Sequence, residues 1–274
     1  MDISRRSPGE PKGPPEAPPD RPPLLELMLG PRLAIAAALA GITVLCWLYL
    51  FAEAADMRAM GDMTMAMPPK GAADLVLLLV MWWVMMIGMM LPSAAPMILT
   101  FATVNARRRA RAQPWVPTAL FASGYVLAWG GFSIAATLAQ WGLESAALLS
   151  PMAMSVTSTR LGGVLFLAAG LYQLTPLKRA CLIACRSPFD FVVNRWRDGA
   201  LGALRMGAEH GLSCLGCCWV LMALLFVFGA MNLVWVAVLA IAVLVEKLLP
   251  FGEWTARIGG LLLMGWGLWL LAAG

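Results

Sequence analysis

Seven runs of apolar residues, each about as long as a bilayer-crossing helix, constrain this chain more than any other feature. They cover residues 33–52, 73–97, 117–139, 160–176, 206–228, 231–246 and 255–272. A soluble chain carries about a quarter of its residues as charges to cover its surface. Here 13% are charged and 61% apolar, which excludes a soluble enzyme, a disordered tail protein and a disulfide-stapled secreted domain. The pattern predicts an all-α, polytopic transmembrane bundle of about seven spans. The fourth and sixth runs are short enough to be tilted or partly re-entrant, and the 141–152 segment fits a short interfacial piece. Residues 1–32 are rich in Pro and mixed charge, unable to bury apolar surface. They are expected to form a disordered cytoplasmic tail and not a secretory signal, leaving residues 33–274 as the transmembrane domain.

Charge orients the bundle. With the N-terminus inside, 17 of the 20 Lys and Arg fall on inner segments: the tail, Arg107 to Arg111, the 177–205 loop, Lys247 and Arg257. The outer segments hold Arg58, Lys70 and Arg160. That asymmetry follows the positive-inside rule, and an odd number of spans then puts the C-terminus outside. The basic residues sit in short clusters between apolar runs, with no basic stripe interleaved with aromatics, so nucleic-acid binding is not expected.

Methionine is the first chemical signal. Eleven of the 19 methionines lie between Met57 and Met97. Met57, Met60, Met63, Met65 and Met67 fall in the expected outer loop ADMRAMGDMTMAMP; Met81, Met85, Met86, Met89, Met90 and Met97 follow in and after the second span. Thioether sulfur is a soft ligand suited to Cu(I), and the spacing of Met81, Met85 and Met89 puts them on one helix face. Met also packs flexibly in apolar cores, which accounts for a buried helix more readily than for a solvent-facing loop.

Cysteine and histidine are the second. Of six cysteines, none falls in an expected outer loop, which argues against an extracellular disulfide framework. Cys214, Cys217 and Cys218 lie in the fifth span, just after His210, the only histidine. At 3.6 residues per turn Met206, His210, Cys214 and Cys217 form a narrow stripe with Cys218 at its edge. Imidazole and thiols on one intramembrane face read as half of a soft-metal site; cysteines packed as small hydrophobes and a solvated interfacial histidine are the structural alternative. Counting about 1.5 Å per residue, Met85 lies about 18 Å in from the outer face and Cys217 about 16 Å in from the inner face. In a core of about 30 Å the second and fifth spans can then share one site. Cys181 and Cys185, four apart in LKRACLIACRSP, present both sulfurs together if helical, as an inner metal clamp or a reducible thiol pair.

Pro92 and Pro96 are expected to bend or break the second span near its inner end, with freed carbonyls available to line a cavity. Glu246 followed by Lys247 reads as a self-contained ion pair at a helix end. There is no Gly-rich phosphate loop, no Ser/His/Asp order and no CxxCH haem motif, so no enzymatic reaction is assigned. A single histidine excludes a bis-histidine haem and a three-His copper or zinc centre within one chain.

Four blocks carry a wider resemblance: WWVMMIGMMLPSAAPM (82–97), YQLTPLKRACLIACRSP (172–188), GLSCLGCCWVLMALLFVFGAMNLVW (211–235) and AVLVEKLLP (242–250). Over roughly residues 75 to 272 the chain resembles a bacterial family of predicted metal-binding, copper-binding integral membrane proteins, long filed as a domain of unknown function. The resemblance implies a copper-related membrane role without supplying a reaction. By motif it carries over Met85, Met86, Met89, Met90, Cys181, Cys185, Cys214, Cys217 and Cys218. The combined expectation is a multi-pass protein of the bacterial inner membrane that binds a soft metal, Cu(I), for transfer, transport or delivery. Its partners would be the lipid bilayer and a copper carrier or cuproenzyme. A membrane thiol–disulfide oxidoreductase using Cys217–Cys218 or Cys181/Cys185, and a metal-free structural subunit, are the alternatives from other classes.

Overall fold

The computed structural model describes residues 24–61, 71–150 and 154–273. They form helices α1 (Leu24–Gly61), α2 (Ala72–Ala110), α3 (Thr118–Ser145), α4 (Thr159–Gln173), α5 (Pro176–Arg186), α6 (Pro188–Asn194), α7 (Gly199–Ala223), α8 (Leu225–Phe228), α9 (Leu233–Leu248) and α10 (Gly252–Ala273). Helix is what a chain must adopt to satisfy its own backbone polar groups in hydrocarbon. Among the described residues five stretches are long and apolar enough to cross a membrane: Gly30–Met57, Ala72–Ala110, Thr118–Ser145, Gly199–Phe228 and Gly252–Ala273. The fourth and sixth apolar runs also form helices, but α4 has 15 residues and α9 has 16. The 141–152 segment contributes a two-residue strand, Leu149–Ser150, paired antiparallel with Ser155–Val156.

Several sequence expectations shift. α1 begins at Leu24, ahead of the apolar run, and continues through the helix-forming residues AEAADMRAM to Gly61, so Met57 and Met60 sit on a helix instead of in a loop. Met63, Met65 and Met67 lie outside the described residues. Pro92 and Pro96 do not break α2, which runs on to Ala110. Neighbours take up carbonyls around the prolines: Ser93 Oγ and Tyr125 Oη donate to the Met90 carbonyl at 2.8 and 3.1 Å, and Thr100 Oγ1 donates to that of Pro96 at 2.8 Å.

The 177–205 segment, expected as an inner loop, is mostly helical. Thr175 caps α5 by accepting from the Lys178 N–H at 3.3 Å, and Pro176 takes the first helical position, where its missing N–H costs nothing. α5 has a strongly apolar side, and it packs this side on α7. α7 in turn packs along α3, and the approach depends on small residues. A Cβ added to Gly124 would collide with the Leu204 carbonyl, and one added to Gly207 with the Phe121 carbonyl. Backbones this close are characteristic of membrane helix pairs that lack any hydrophobic drive to associate.

A buried ion pair ties α5 to α9. Lys178 Nζ lies 2.7 Å from Glu246 Oε2, with side-chain exposures of 1% and 7%. Gln173 Nε2 donates to the other carboxylate oxygen at 2.9 Å. This overturns the expected Glu246–Lys247 pair: consecutive helical residues point about 100° apart, so the two cannot share a partner direction. It also removes Lys178 and Lys247 from the solvated inner charges, since both are buried. Removing one member of a buried pair strands the other charge, at a cost of about 3–5 kcal/mol, whereas an apolar replacement of both can be close to neutral. Lys178→Met and Glu246→Leu are therefore each expected to lower the thermal unfolding midpoint in detergent sharply, and the double variant to recover most of the loss. Additive losses in the double variant would show that the pair does not act as a unit.

Candidate metal centre

The structure brings sulfur from three helices to one place. Cys214, Cys217 and Cys218 on α7 are each 1% exposed. Cys185, from α5, faces Cys214 and Cys217 of α7 closely enough for the thiols to interact electrostatically. Met90 of α2 places its Sδ 4.0 Å from the Cys218 sulfur. Cys181 lies one turn along α5 from Cys185, its sulfur against Gly216 of α7, where a Cβ would lie 2.7 Å away. The Cys181/Cys185 pair thus faces α7 across the α5 interface, toward the thiols of that helix.

Oxygen and nitrogen atoms complete the surroundings. Tyr125 Oη of α3 lies 3.0 Å from the Cys214 sulfur. Lys247 Nζ of α9 donates to Cys214 Sγ at 2.7 Å and to Ser93 Oγ of α2 at 3.2 Å. His210 stands one turn before Cys214 on α7 and is 3% exposed, stacked at 5.6 Å on Tyr125 and edge-on at 5.7 Å to Phe191. It is therefore no solvated interfacial side chain, and its Nδ1 is buried without a hydrogen-bond partner. An unpaired buried polar atom is costly, which marks this nitrogen as one with a use still to be found.

Tertiary contact explains what the spacing of residues did not show. The six methionines of α2 that the sequence singles out (Met81, Met85, Met86, Met89, Met90 and Met97) are all buried, at 3% exposure or less. Of these, Met90 has its Sδ 4.0 Å from the Cys218 sulfur. Sequence reasoning missed Lys247, Tyr125 and Ser93. The signal available for Lys247 was its place in VLVEKLLP, where an ionisable group at membrane depth demands a partner.

The cluster is closed on itself. Cys217 and Cys218 each donate to the Cys214 carbonyl at 3.0 Å, and Lys247 holds the Cys214 sulfur. Consistent with that, among the described residues no three His, Cys, Asp or Glu side chains form a group with metal-holding geometry. The sulfurs are gathered, and Cys217, Cys218 and Lys247 are engaged in hydrogen bonds within the cluster. All six cysteines are free thiols. An apolar cavity of about 620 Å³ between α4, α7, α9 and α10 is lined by Phe166, Leu221, Trp235 and Trp266 and not by sulfur.

Access distinguishes the thiols. Cys181 and Cys185 are half-buried, while Cys214, Cys217 and Cys218 are enclosed. Reactivity requires access as well as thiolate character. In metal-free protein held in detergent, a small maleimide is expected to modify Cys181 and Cys185 first, followed site by site through peptide mass spectrometry. Early labelling of Cys214 would show the cluster to be open.

No curated protein and no solved structure shows a significant match to this chain. A family model does: the one named PpoB2 and described as copper chaperone matches residues 79–270, a stretch that contains α3 to α9 entire and every cysteine of the cluster. The chain belongs to this copper chaperone family.

Proposed function

We propose that this protein is a multi-pass membrane copper chaperone, carrying Cu(I) as cargo and passing it to a copper carrier or cuproenzyme. The observation that carries the reading is the convergence of Cys185, Cys214, Cys217, Cys218 and Met90 from three helices, beside the unpartnered Nδ1 of His210. Thiolate and thioether are soft ligands matched to Cu(I), and a histidine nitrogen suits copper as well. Two or three of them suffice for a low-coordinate cuprous ion, which suits a site that must also let its cargo go.

In this reading the bundle lies in the bacterial plasma membrane with its N-terminus inside. The five long helices cross it, and α4 and α9 serve as two shorter spans, making seven. Met57, Met60, Met63, Met65 and Met67 capture or release the ion at the outer face by thioether exchange. Met81, Met85, Met86 and Met89 line the way along α2, and Cys181 with Cys185 exchanges the ion on the inner side. Charge asymmetry along the sequence and the half-buried position of the α5 pair support this order. A disulfide-exchange role is less well supported, since attack on a substrate needs an accessible sulfur and three of these thiols are enclosed.

The test is metal content of anaerobically purified protein by mass spectrometry during Cu(I) titration. Near-stoichiometric Cu(I) is expected in the wild type, with loss in the Cys214→Ser/Cys217→Ser variant. Replacement of the five outer methionines by Leu is expected to slow uptake while leaving the inner stoichiometry intact. Wild-type protein that takes up no Cu(I) would sink the reading.

A further inference from the structure

The proposed cargo site already contains a cation. Lys247 reaches it from α9, is 7% exposed, and points its ammonium at the Cys214 sulfur and the Ser93 hydroxyl. Cys217, Cys218 and Tyr125 also lie within electrostatic reach of the same nitrogen. The neighbouring charges do not claim it. Glu246, the next residue back, is turned away to Lys178 and Gln173. The positive charge on Lys247 therefore has the sulfur cluster as its counterpart, in a region where an unpaired ammonium would be expensive.

Resting on the copper reading above, we propose that Lys247 is the resident cation of the cluster, and that Cu(I) enters by displacing its ammonium from Cys214. Cu(I) takes the place of the ammonium on the Cys214 thiolate, and because the ammonium stays nearby, the charge balances when a second thiol of the cluster gives up its proton to solvent as the ion binds. No ion need be brought into the bilayer against an empty, uncompensated seat, and none leaves the sulfurs bare when the cargo departs. The displaced ammonium keeps an acceptor, because Ser93 Oγ already lies 3.2 Å from it on the α2 side. A charge retained that close repels a bound ion, so Lys247 also weakens retention. For a chaperone this is the useful direction: the site loads, yet gives up its ion to the next ligand.

Soft sulfur prefers copper to a hard ammonium, so the lysine competes without closing the site. Its cost to the ion is Coulombic. Two unit charges a few ångströms apart in a protein interior repel each other strongly even at an effective dielectric of about 20. Relaxation of the long lysine side chain returns part of this, and an effect of at least about tenfold on affinity is expected to remain.

The experiment uses the full-length protein in detergent, titrated with Cu(I) against a competing Cu(I) chelator. Lys247→Leu, which removes the charge and adds no ligand, is expected to bind Cu(I) at least tenfold more tightly than wild type and to release it more slowly to the chelator. Lys247→Arg, which keeps the charge, is expected to stay near wild type. A second measurement needs no altered site: in wild-type protein with ¹⁵N-labelled lysine, adding Ag(I) is expected to shift the Lys247 Nζ resonance, identified by its absence in Lys247→Arg. Unchanged or weaker Cu(I) binding by Lys247→Leu overturns the displacement. If that variant does not fold, an unmoved Nζ resonance in Ag(I)-loaded wild type overturns it instead. Wild type that takes up neither ion overturns the copper reading and this inference together, whereas uptake without the lysine effects overturns the inference alone.

Discussion

The buried pair between Lys178 and Glu246 is the interaction on which the arrangement of this protein turns. It ties α5, a short helix with charged and apolar sides, to α9 within the packed bundle. Two consequences follow from geometry. α5 is held against α7, so Cys181 and Cys185 meet the thiols of the fifth apolar run. On α9, committing Glu246 to one side turns Lys247 about 100° away, toward α2 and α7, where Cys214 and Ser93 receive it. The ion pair thus fixes α5 to α9 and directs the cation, while the packing of α5 on α7 brings the sulfurs together.

The close crossing of α3 and α7 supplies the rest. Gly124 and Gly207 let the two backbones meet, and this brings Tyr125 alongside His210 and Cys214. Tyr125 then links α2 to the same point through the Met90 carbonyl. The residues with chemistry are thus held by a frame of small residues and one ion pair. That frame keeps five helices around a cluster of soft ligands, each too weak a hydrogen-bonding group to assemble the bundle by itself.

Much of this was legible without coordinates. Apolar runs of bilayer length announced the helices, and among the described residues five are long and apolar enough to cross a membrane. The stripe of His210, Cys214 and Cys217 is a matter of helical periodicity, and all three side chains are buried together. The block resemblance led to a copper-related family, and a family model described as copper chaperone covers most of the chain. Other readings failed for local reasons. α1 is helical through Gly61, so two of the methionines expected in a loop are helical. Thr175 and Pro176 start a helix where charge alone suggested a loop. Adjacent charges at Glu246 and Lys247 looked like a pair, although a helix separates neighbours by direction as much as it joins them by distance.

The sequence by itself determined that the chain is helical and apolar enough for a membrane, and which side chains are soft enough to hold copper. Composition, run length and periodicity are properties of consecutive residues, so they can be read along a single strand of text. Only the tertiary structure decided that Cys185 meets Cys214 across α5 and α7, that Met90 is the α2 methionine beside Cys218, and that Lys247 occupies the Cys214 sulfur. Those contacts join residues as far as 128 positions apart. They depend on which faces the glycine crossing and the buried ion pair turn toward each other, and no local pattern encodes that choice.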